Sequence, residues 1–464
     1  MAAYAAGFSA LSILRHRAFA TGRFDLGNMV QAVWATAHGH PLRITDLRGD
    51  QISRLAAHVD PIIVLFAPLW RIWPSPDVLL ITQSVAVALG ALPVFWLARK
   101  HLRSEHAALG LALAYLLSPA VGWLTLNEFH PVALACPLLL FAFWYLDEDR
   151  LLPFAVFAIL AAATKEEIPL VVAGFGAWYA LARRRWRPGA ATAVLAGAAG
   201  AVALGVVIPH FNRGTGSNFY TRYGEVGGTP GGILKTAAMH PLHVLSTAFD
   251  ARGWHYLVDL FLPLAGLSLL APLVLLAALP ELAINLLSAT PTQTSIHFHY
   301  TAGLIPVLVA AAVLGGAWLV RRSFVTAEGV AACALAAALA ASYLLGPLPI
   351  WQHLPGGSQL QADAAHVTEH ARIAARALRL IPSGAVVSAS NSLGAHLSAR
   401  RRILSFPFVQ DATWVAVDET APSFGDRVAP IPTAVQLVWL RKNPAWKLVF
   451  ERDGVLVFHR IPPS

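Results

Sequence analysis

Long runs of apolar residues with no polar face alternate along this chain with short polar segments, and that pattern predicts helices that cross a membrane. Runs such as 190–209 are apolar on every side, whereas the strands of a membrane barrel alternate apolar and polar residues over about ten positions. A segment crossing hydrocarbon must satisfy its backbone polar groups internally, which makes helices the expected spans. Eleven segments fit, at 1–20, 77–98, 106–126, 130–146, 151–164, 168–183, 189–209, 255–270, 271–289, 300–320 and 326–346. The region 255–289 is too long for one span, and Pro263, Pro272 and Pro280 interrupt it, so it is read as two short helices. Segment 61–73 is also apolar. Counting it as a span would reverse everything after it, so it is expected as an interfacial or re-entrant helix with Trp70 and Trp73 at headgroup level.

The pattern changes near residue 351. Residues 1–350 form the membrane part, with polar loops at 21–76 and 211–254, and residues 351–464 read as a small separate domain. Within it, 363–380 reads as an amphipathic helix, 385–390 and 414–418 as strands, and 447–460 as a hairpin turning at Asp453-Gly454. The expected fold class is an all-α polytopic membrane protein of about 11 transmembrane helices carrying a small C-terminal extracytoplasmic α/β domain.

Composition agrees with this reading, since 56% of the 464 residues are hydrophobic and only 13% are charged. A soluble protein of this length needs more charge to cover its surface. The net charge of +9 raises the question of nucleic acid, and its placement argues against that partner. Arg99, Lys100 and Arg103, then Arg183 to Arg185 with Arg187, then Arg321 with Arg322 all lie between apolar runs, as cytoplasmic anchors do. They are not interleaved with stacking aromatics on a soluble module. With these clusters inside, the N-terminus is inside and the region after Trp351 is outside. Residues 1–14 are apolar and are followed by Arg15-His16-Arg17, the reverse of a secretory signal, and are read as a first span. Cys136 and Cys333 lie in apolar segments and do not report on redox compartment.

On this topology the polar motifs fall at the outer ends of spans, with no comparable cluster at the inner ends. Asp25 opens a helix whose apolar residues follow helical spacing, with Asn28, Gln31 and His38 on its polar side. Aspartate there either caps the helix or accepts a proton. Asp60 precedes Pro61, the pattern of a helix N-cap, and His58 beside it suits headgroups or a site. Glu128, His130, Lys165, Glu166 and Glu167 are ionisable groups at the edge of hydrocarbon, which are costly unless paired or hydrated. A Lys165–Glu128 ion pair would account for them, as would a site for a phosphate and an acid–base pair. His299 and Tyr300 precede a span and are either interface residues or part of that site. A divalent metal held by His and Glu is compatible with these residues, but no diagnostic ligand spacing is present. Asn391 is positioned to cap a short helix leading to His396, and Arg400 to Arg402 read as a solvated edge or an anion contact.

Taken together, Phe24-Asp25-Leu26-Gly27 with Gln31 and Trp34, His58 to Pro61, Phe129-His130-Pro131, Lys165-Glu166-Glu167, His299-Tyr300 and the C-terminal Ile381-Pro382, Asn391, His396-Leu397-Ser398 and Arg400 resemble a bacterial membrane-protein family, domain of unknown function 2079. That family is similar to the GT-C glycosyltransferases, multi-span enzymes that use polyprenyl-phosphate sugars at the extracytoplasmic face. The resemblance implies a catalytic aspartate in the first outer loop, the place Asp25 holds, although Leu26 stands where GT-C members often carry a second acid. It implies inverting transfer from a polyprenyl-phosphate-linked sugar to an outer acceptor in the cytoplasmic membrane. Asp25 would be the base, and Asn28, Gln31, His58, Asp60, Glu128, His130, Lys165, Glu166, His299 and Tyr300 would line the substrate. A transporter or flippase, or a non-catalytic scaffold, is the alternative. A transporter should carry ionisable groups and broken helices at mid-membrane.

Overall fold

The computed structural model describes residues 1–359, 364–427 and 431–461. Four helices among them are long and apolar enough to cross a membrane, Asp77–Leu102, Trp186–Phe211, Leu304–Arg321 and Ala327–Leu345. A fifth candidate, Glu105–Leu117 with Pro119–Leu126, is bent by 49° where Pro119 interrupts the helix. The remaining expected spans are shorter. The first is Ala2–Arg17, and Pro131–Asp147, Leu151–Ala162 and Ile168–Ala182 are apolar helices of 10–17 residues, so four or five clear spans stand among the described residues and the other expected ones are shorter helices. Leu304–Arg321 is the most enclosed of the long helices and Trp186–Phe211 the least, which puts the former at the centre and the latter at the rim. The hairpin of Ile168–Ala182 and Trp186–Phe211 packs tightly because a Cβ on Gly176 would lie 2.7 Å from backbone atoms of the partner helix.

Region 255–289 departs from the two short spans expected. It begins as helix Ala251–Phe261 and then breaks into short pieces, Leu262–Leu264, Leu267–Leu270, Pro272–Leu275 and Leu279–Leu286. Left-handed backbone at Ala265 and Gly266 turns the chain there, and prolines at the starts of the pieces cannot continue a preceding helix. Segment 61–73 is a 3₁₀ turn, Pro61–Phe66, running into helix Ala67–Ile72. Its Ile72 and Trp73 are exposed, but Trp70 is buried in a core with Val30, Phe66 and Phe129 rather than standing at a surface.

The C-terminal domain is a five-stranded sheet. Its strands are β3 (Val387–Ala389), β4 (Ile403–Ser405), β5 (Trp414–Asp418), β6 (Trp446–Arg452) and β7 (Val455–Arg460), in the order β4-β3-β5-β7-β6. β3 pairs in parallel with β4 and β5, and β7 pairs antiparallel with β5 and β6. The β6–β7 turn is at Asp453 and Gly454, both at positive φ, as a two-residue hairpin turn requires. The amphipathic helix runs Glu369–Leu378, and Asp363, where it was expected to begin, lies outside the described residues. Sequence patterning missed β4, helix Thr433–Lys442, and a small hairpin in the first loop, β1 (Arg43–Thr45) with β2 (Gln51–Ser53).

The spans carry polar groups at both ends, which corrects the expectation of a single polar end. At the end holding the basic clusters, the Asp147 carboxylate is 1% exposed and meets Lys100 at 2.7 Å, His101 at 2.9 Å and Arg183 at 3.5 Å. Asp149 beside it takes Arg183 and accepts from the Tyr179 hydroxyl at 2.7 Å. The motif residues gather at the opposite end.

Candidate functional site

A wide helical turn, Arg23–Gly27, follows the first helix and delivers Asp25. The Asp25 side chain does not cap helix Asn28–Ala37. It is 53% exposed and lies 3.3 Å from Nε2 of His130. His130 Nδ1 is 2.7 Å from the Asn127 carbonyl, which only accepts, so Nδ1 donates there and Nε2 faces the Asp25 carboxylate. Surrounding protein pushes Asp25 up, but the His130 hydrogen bond and charge, with Arg54 beyond, bring it below the ordinary carboxylate range. It is therefore ionised at neutral pH, the form that can accept a proton.

His130 is held by the bent turn that ends helix Pro119–Leu126. Glu128 within that turn has left-handed backbone, φ 51°, which costs a non-glycine residue about 1–2 kcal/mol. The turn aims its carboxyl back at the first loop, where the Gly22 amide donates at 3.0 Å and the Leu26 amide at 2.8 Å. Burial and the adjacent Asp25 charge push Glu128 up to about 8. Gln83, fully buried in a span, clamps the same turn by donating to the Glu128 carbonyl at 2.5 Å and accepting from the His130 amide at 2.9 Å. Sequence reasoning passed over Gln83, although a lone amide inside an apolar span was the available signal.

From His130 the site continues as a stack. The His299 ring lies 3.9 Å from the His130 ring, and the Tyr300 ring 4.3 Å from His299. Burial, with the nearby His130 and Lys165 charges, holds His299 well below the ordinary histidine range, so it is neutral. Tyr300 in turn has two cations near its face, Lys165 Nζ at 5.3 Å and the Arg222 guanidinium at 6.0 Å from the ring centroid. Lys165 pairs with Glu167 at 2.6 Å, not with Glu128 as the sequence suggested. Burial works against its charge, but Glu167 and Glu166 more than offset this and raise it above the ordinary lysine range. Arg222, which sequence reasoning missed, comes from the long 211–254 loop. It donates at 3.3 Å to the Tyr300 hydroxyl and at 3.4 Å to Gln293, and among the described residues no carboxylate lies within ion-pair distance of it. An arginine in a polar loop carries no pattern that marks it beforehand.

The turn that presents His299 and Tyr300 is pinned by one helix, Leu279–Leu286. Glu281 accepts from the Gly303 amide at 3.1 Å, and Asn285, one helical turn on, donates to the Tyr300 carbonyl at 2.8 Å. Both side chains are buried.

The other motif residues form the rim and its supports. Glu166 bonds His58 Nδ1 at 2.9 Å and the Val59 amide at 3.0 Å. Burial opposes its charge, but His58 and Lys165 hold it down at about 2. His58 stacks on Phe219 of the long loop, with ring centroids 4.7 Å apart. Asp60 makes no cap bond. Its carboxylate, 2% exposed, is paired with Arg54 at 2.5 Å, and burial still leaves it raised. Asn28 donates to the Phe24 carbonyl at 2.9 Å, and Gln31 is buried between Thr45 and the Arg400 and Arg401 carbonyls, so neither meets the stack. In the C-terminal domain Arg400 is no solvated edge. It is buried and donates to the Leu397 and Ala385 carbonyls. Asn391 does not cap its own helix, since Ser390 holds the cap position. Among the described residues no three His, Cys, Asp or Glu side chains converge to hold a metal ion.

The backbone resembles that of ArnT, a GT-C glycosyltransferase. ArnT from Cupriavidus metallidurans bound to undecaprenyl phosphate superposes with a TM-score of 0.57 over 99% of this chain and 97% of that one, at 11% identity. The same enzyme in the apo state gives 0.48 at 12% identity, over 94% and 93% of the two chains. At such identity the likeness is one of fold alone, a mostly helical membrane protein with a small C-terminal sheet domain. No curated protein matches the sequence. The match that spans nearly the whole sequence, residues 15–457, is to the family described as "Predicted membrane protein (DUF2079)", and the chain belongs to that family.

Proposed function

We propose that this protein transfers a sugar, with inversion, from a polyprenyl-phosphate donor to an acceptor at the extracytoplasmic face of the cytoplasmic membrane. The observation that carries this reading is the unbroken series of side chains from Asp25 through His130, His299 and Tyr300 to Lys165 and Arg222. One end holds an ionised carboxylate and the other two cations. The fold likeness to ArnT, seen bound to undecaprenyl phosphate, supports a lipid phosphate as the group those cations take.

In the proposed step an acceptor hydroxyl attacks the anomeric carbon from the face opposite the phosphate. A carbon–oxygen bond forms to the acceptor while the bond to the phosphate oxygen breaks, and the acceptor proton passes to Asp25. The leaving lipid phosphate gains negative charge, which Arg222 and Lys165 stabilise where it develops. Arg222 is the stronger contributor, because Glu167 already neutralises Lys165.

The test is a transfer assay in proteoliposomes with undecaprenyl-phosphate sugars, guided by comparing envelope glycans of a deletion strain with its parent by mass spectrometry. Asp25→Asn should lower the rate by about 10²–10⁴-fold, the usual scale of a general base, with the melting temperature unchanged. A rate within a few-fold of the parent defeats the assignment. The orientation is tested by impermeant thiol labelling of intact cells after replacing Cys136 and Cys333. Thr215→Cys, exposed in the long loop, should label, and His106→Cys, exposed at the basic end, should not.

A further inference from the structure

The C-terminal domain grips the turn that carries Asp25. Arg23, two residues before it, is 1% exposed and donates at 2.9 Å to the Thr45 carbonyl of the first loop. It also donates at 2.7 Å to the Ile403 carbonyl and at 2.8 Å to the Ser405 hydroxyl, both on β4 of the C-terminal domain. A guanidinium buried so fully would be costly without such acceptors. The Asn391 side-chain oxygen accepts from the Phe24 amide at 3.3 Å. Side chains of the domain press on the turn so closely that a Cβ on Gly22 would lie 2.7 Å from Nδ2 of Asn391, and one on Gly27 would lie 2.6 Å from the Ser398 hydroxyl. The His396 ring packs against His16 and Phe19 at the end of the first helix, with centroids 4.0 and 3.9 Å away. From the membrane side, Glu128 holds the amides of Gly22 and Leu26. The Asp25 turn thus hangs between a membrane turn and a sheet domain about 380 residues further along the chain.

We infer that the C-terminal domain is a positioning element for the outer site, with Asn391 and Arg23 as positioning residues that set where Asp25 stands. This rests on Asp25 being the base. The domain's grip falls on the proton-accepting end of the stack and not on the Lys165–Arg222 end, so loosening it should lower turnover without weakening the lipid phosphate. Asn391→Ala is the informative variant. The backbone N–H of Asn391 still donates to the Asp426 carboxylate at 2.7 Å, so the start of the helix keeps that bond when the side chain is cut.

The experiment uses the full chain in nanodiscs and three readouts: hydrogen–deuterium exchange over residues 22–27, undecaprenyl phosphate affinity, and transfer kinetics. In Asn391→Ala and Ser405→Ala, exchange should rise about tenfold and kcat fall tenfold or more, with lipid Kd and donor KM within twofold of the parent. Asn391→Asp, which keeps the accepting oxygen, should return exchange to the parent level. Unchanged exchange in both variants overturns the inference whatever the activity. Raised exchange with unchanged kcat, where Asp25→Asn is inactive, overturns it as well. Raised exchange beside a fully active Asp25→Asn upholds the grip and removes Asp25 as the base, which separates the failure of the two readings.

Discussion

The two polar ends of the membrane part use the same residue types and differ in how their charges are settled. At the basic end the Asp147 carboxylate has Lys100, His101 and Arg183 around it, and Asp149 takes Arg183, Arg185 and the Tyr179 hydroxyl. Both of these carboxylates are answered by cations. At the other end Asp25 is exposed beside a histidine, Glu128 is buried against Asp25, and Arg222 rests on aromatic faces and neutral oxygens. Ionisable groups at the edge of hydrocarbon therefore do not mark a site by their presence. Incomplete pairing marks it, because a charge left without its counterpart is free to meet one on a substrate.

That contrast can be broken most directly with an arginine from each end. Arg222→Gln should weaken undecaprenyl phosphate binding about 10–100-fold, the scale of one or two hydrogen bonds to a charged group, and leave melting unchanged. Arg183→Gln should leave that affinity unchanged. Equal effects in a lipid-binding titration would show that the ends do not differ in the way described. A smaller effect is expected from Asp147→Asn, which keeps the shape but removes the charge facing Lys100, His101 and Arg183. It should cost about 1–3 kcal/mol of stability, read as an earlier thermal transition in detergent, with lipid binding intact.

The smallest expected effect is a pH dependence at the end that holds Asp25. Glu128 is raised to about 8 in the folded protein, so folding favours its protonated form. That contribution is complete below the unfolded value near 4.5 and is lost as pH rises through about 8. Between pH 6 and 9 the melting temperature should fall, and Glu128→Gln should flatten part of that slope. A slope identical in the two proteins would mean that Glu128 is already ionised and that Asp25 has no neutral neighbour.

How far the sequence reached depended on the kind of feature. The apolar helices at 77–98, 189–209, 300–320 and 326–346 were legible because each run is long and uniform, and solvent alone decides where such a run goes. The two short spans expected across 255–289 were not, since Ala265 turns left-handed there and nothing in an apolar run announces that. For the same reason Asp25, His130, Lys165 and His299 were assigned to one end, as ionisable groups in an apolar chain can lie only at the edges of its spans. Strand β5 and the Asp453-Gly454 turn were readable from local patterning, but β4, three residues long, was not. It is too short to show an alternating pattern, and its contact with Arg23 spans 380 positions.

Partnership was beyond local reading throughout. Lys165 had several carboxylates within reach along the chain, and only packing chose Glu167 over Glu128. The sequence by itself determined that this is a helical membrane protein of one family, with its ionisable groups at span ends, because hydrophobicity and charge act on each segment separately. The tertiary structure decided which charges are paired, which arginine is left open, and what grips Asp25. Those outcomes depend on distances between residues up to about 380 positions apart, which no local pattern encodes.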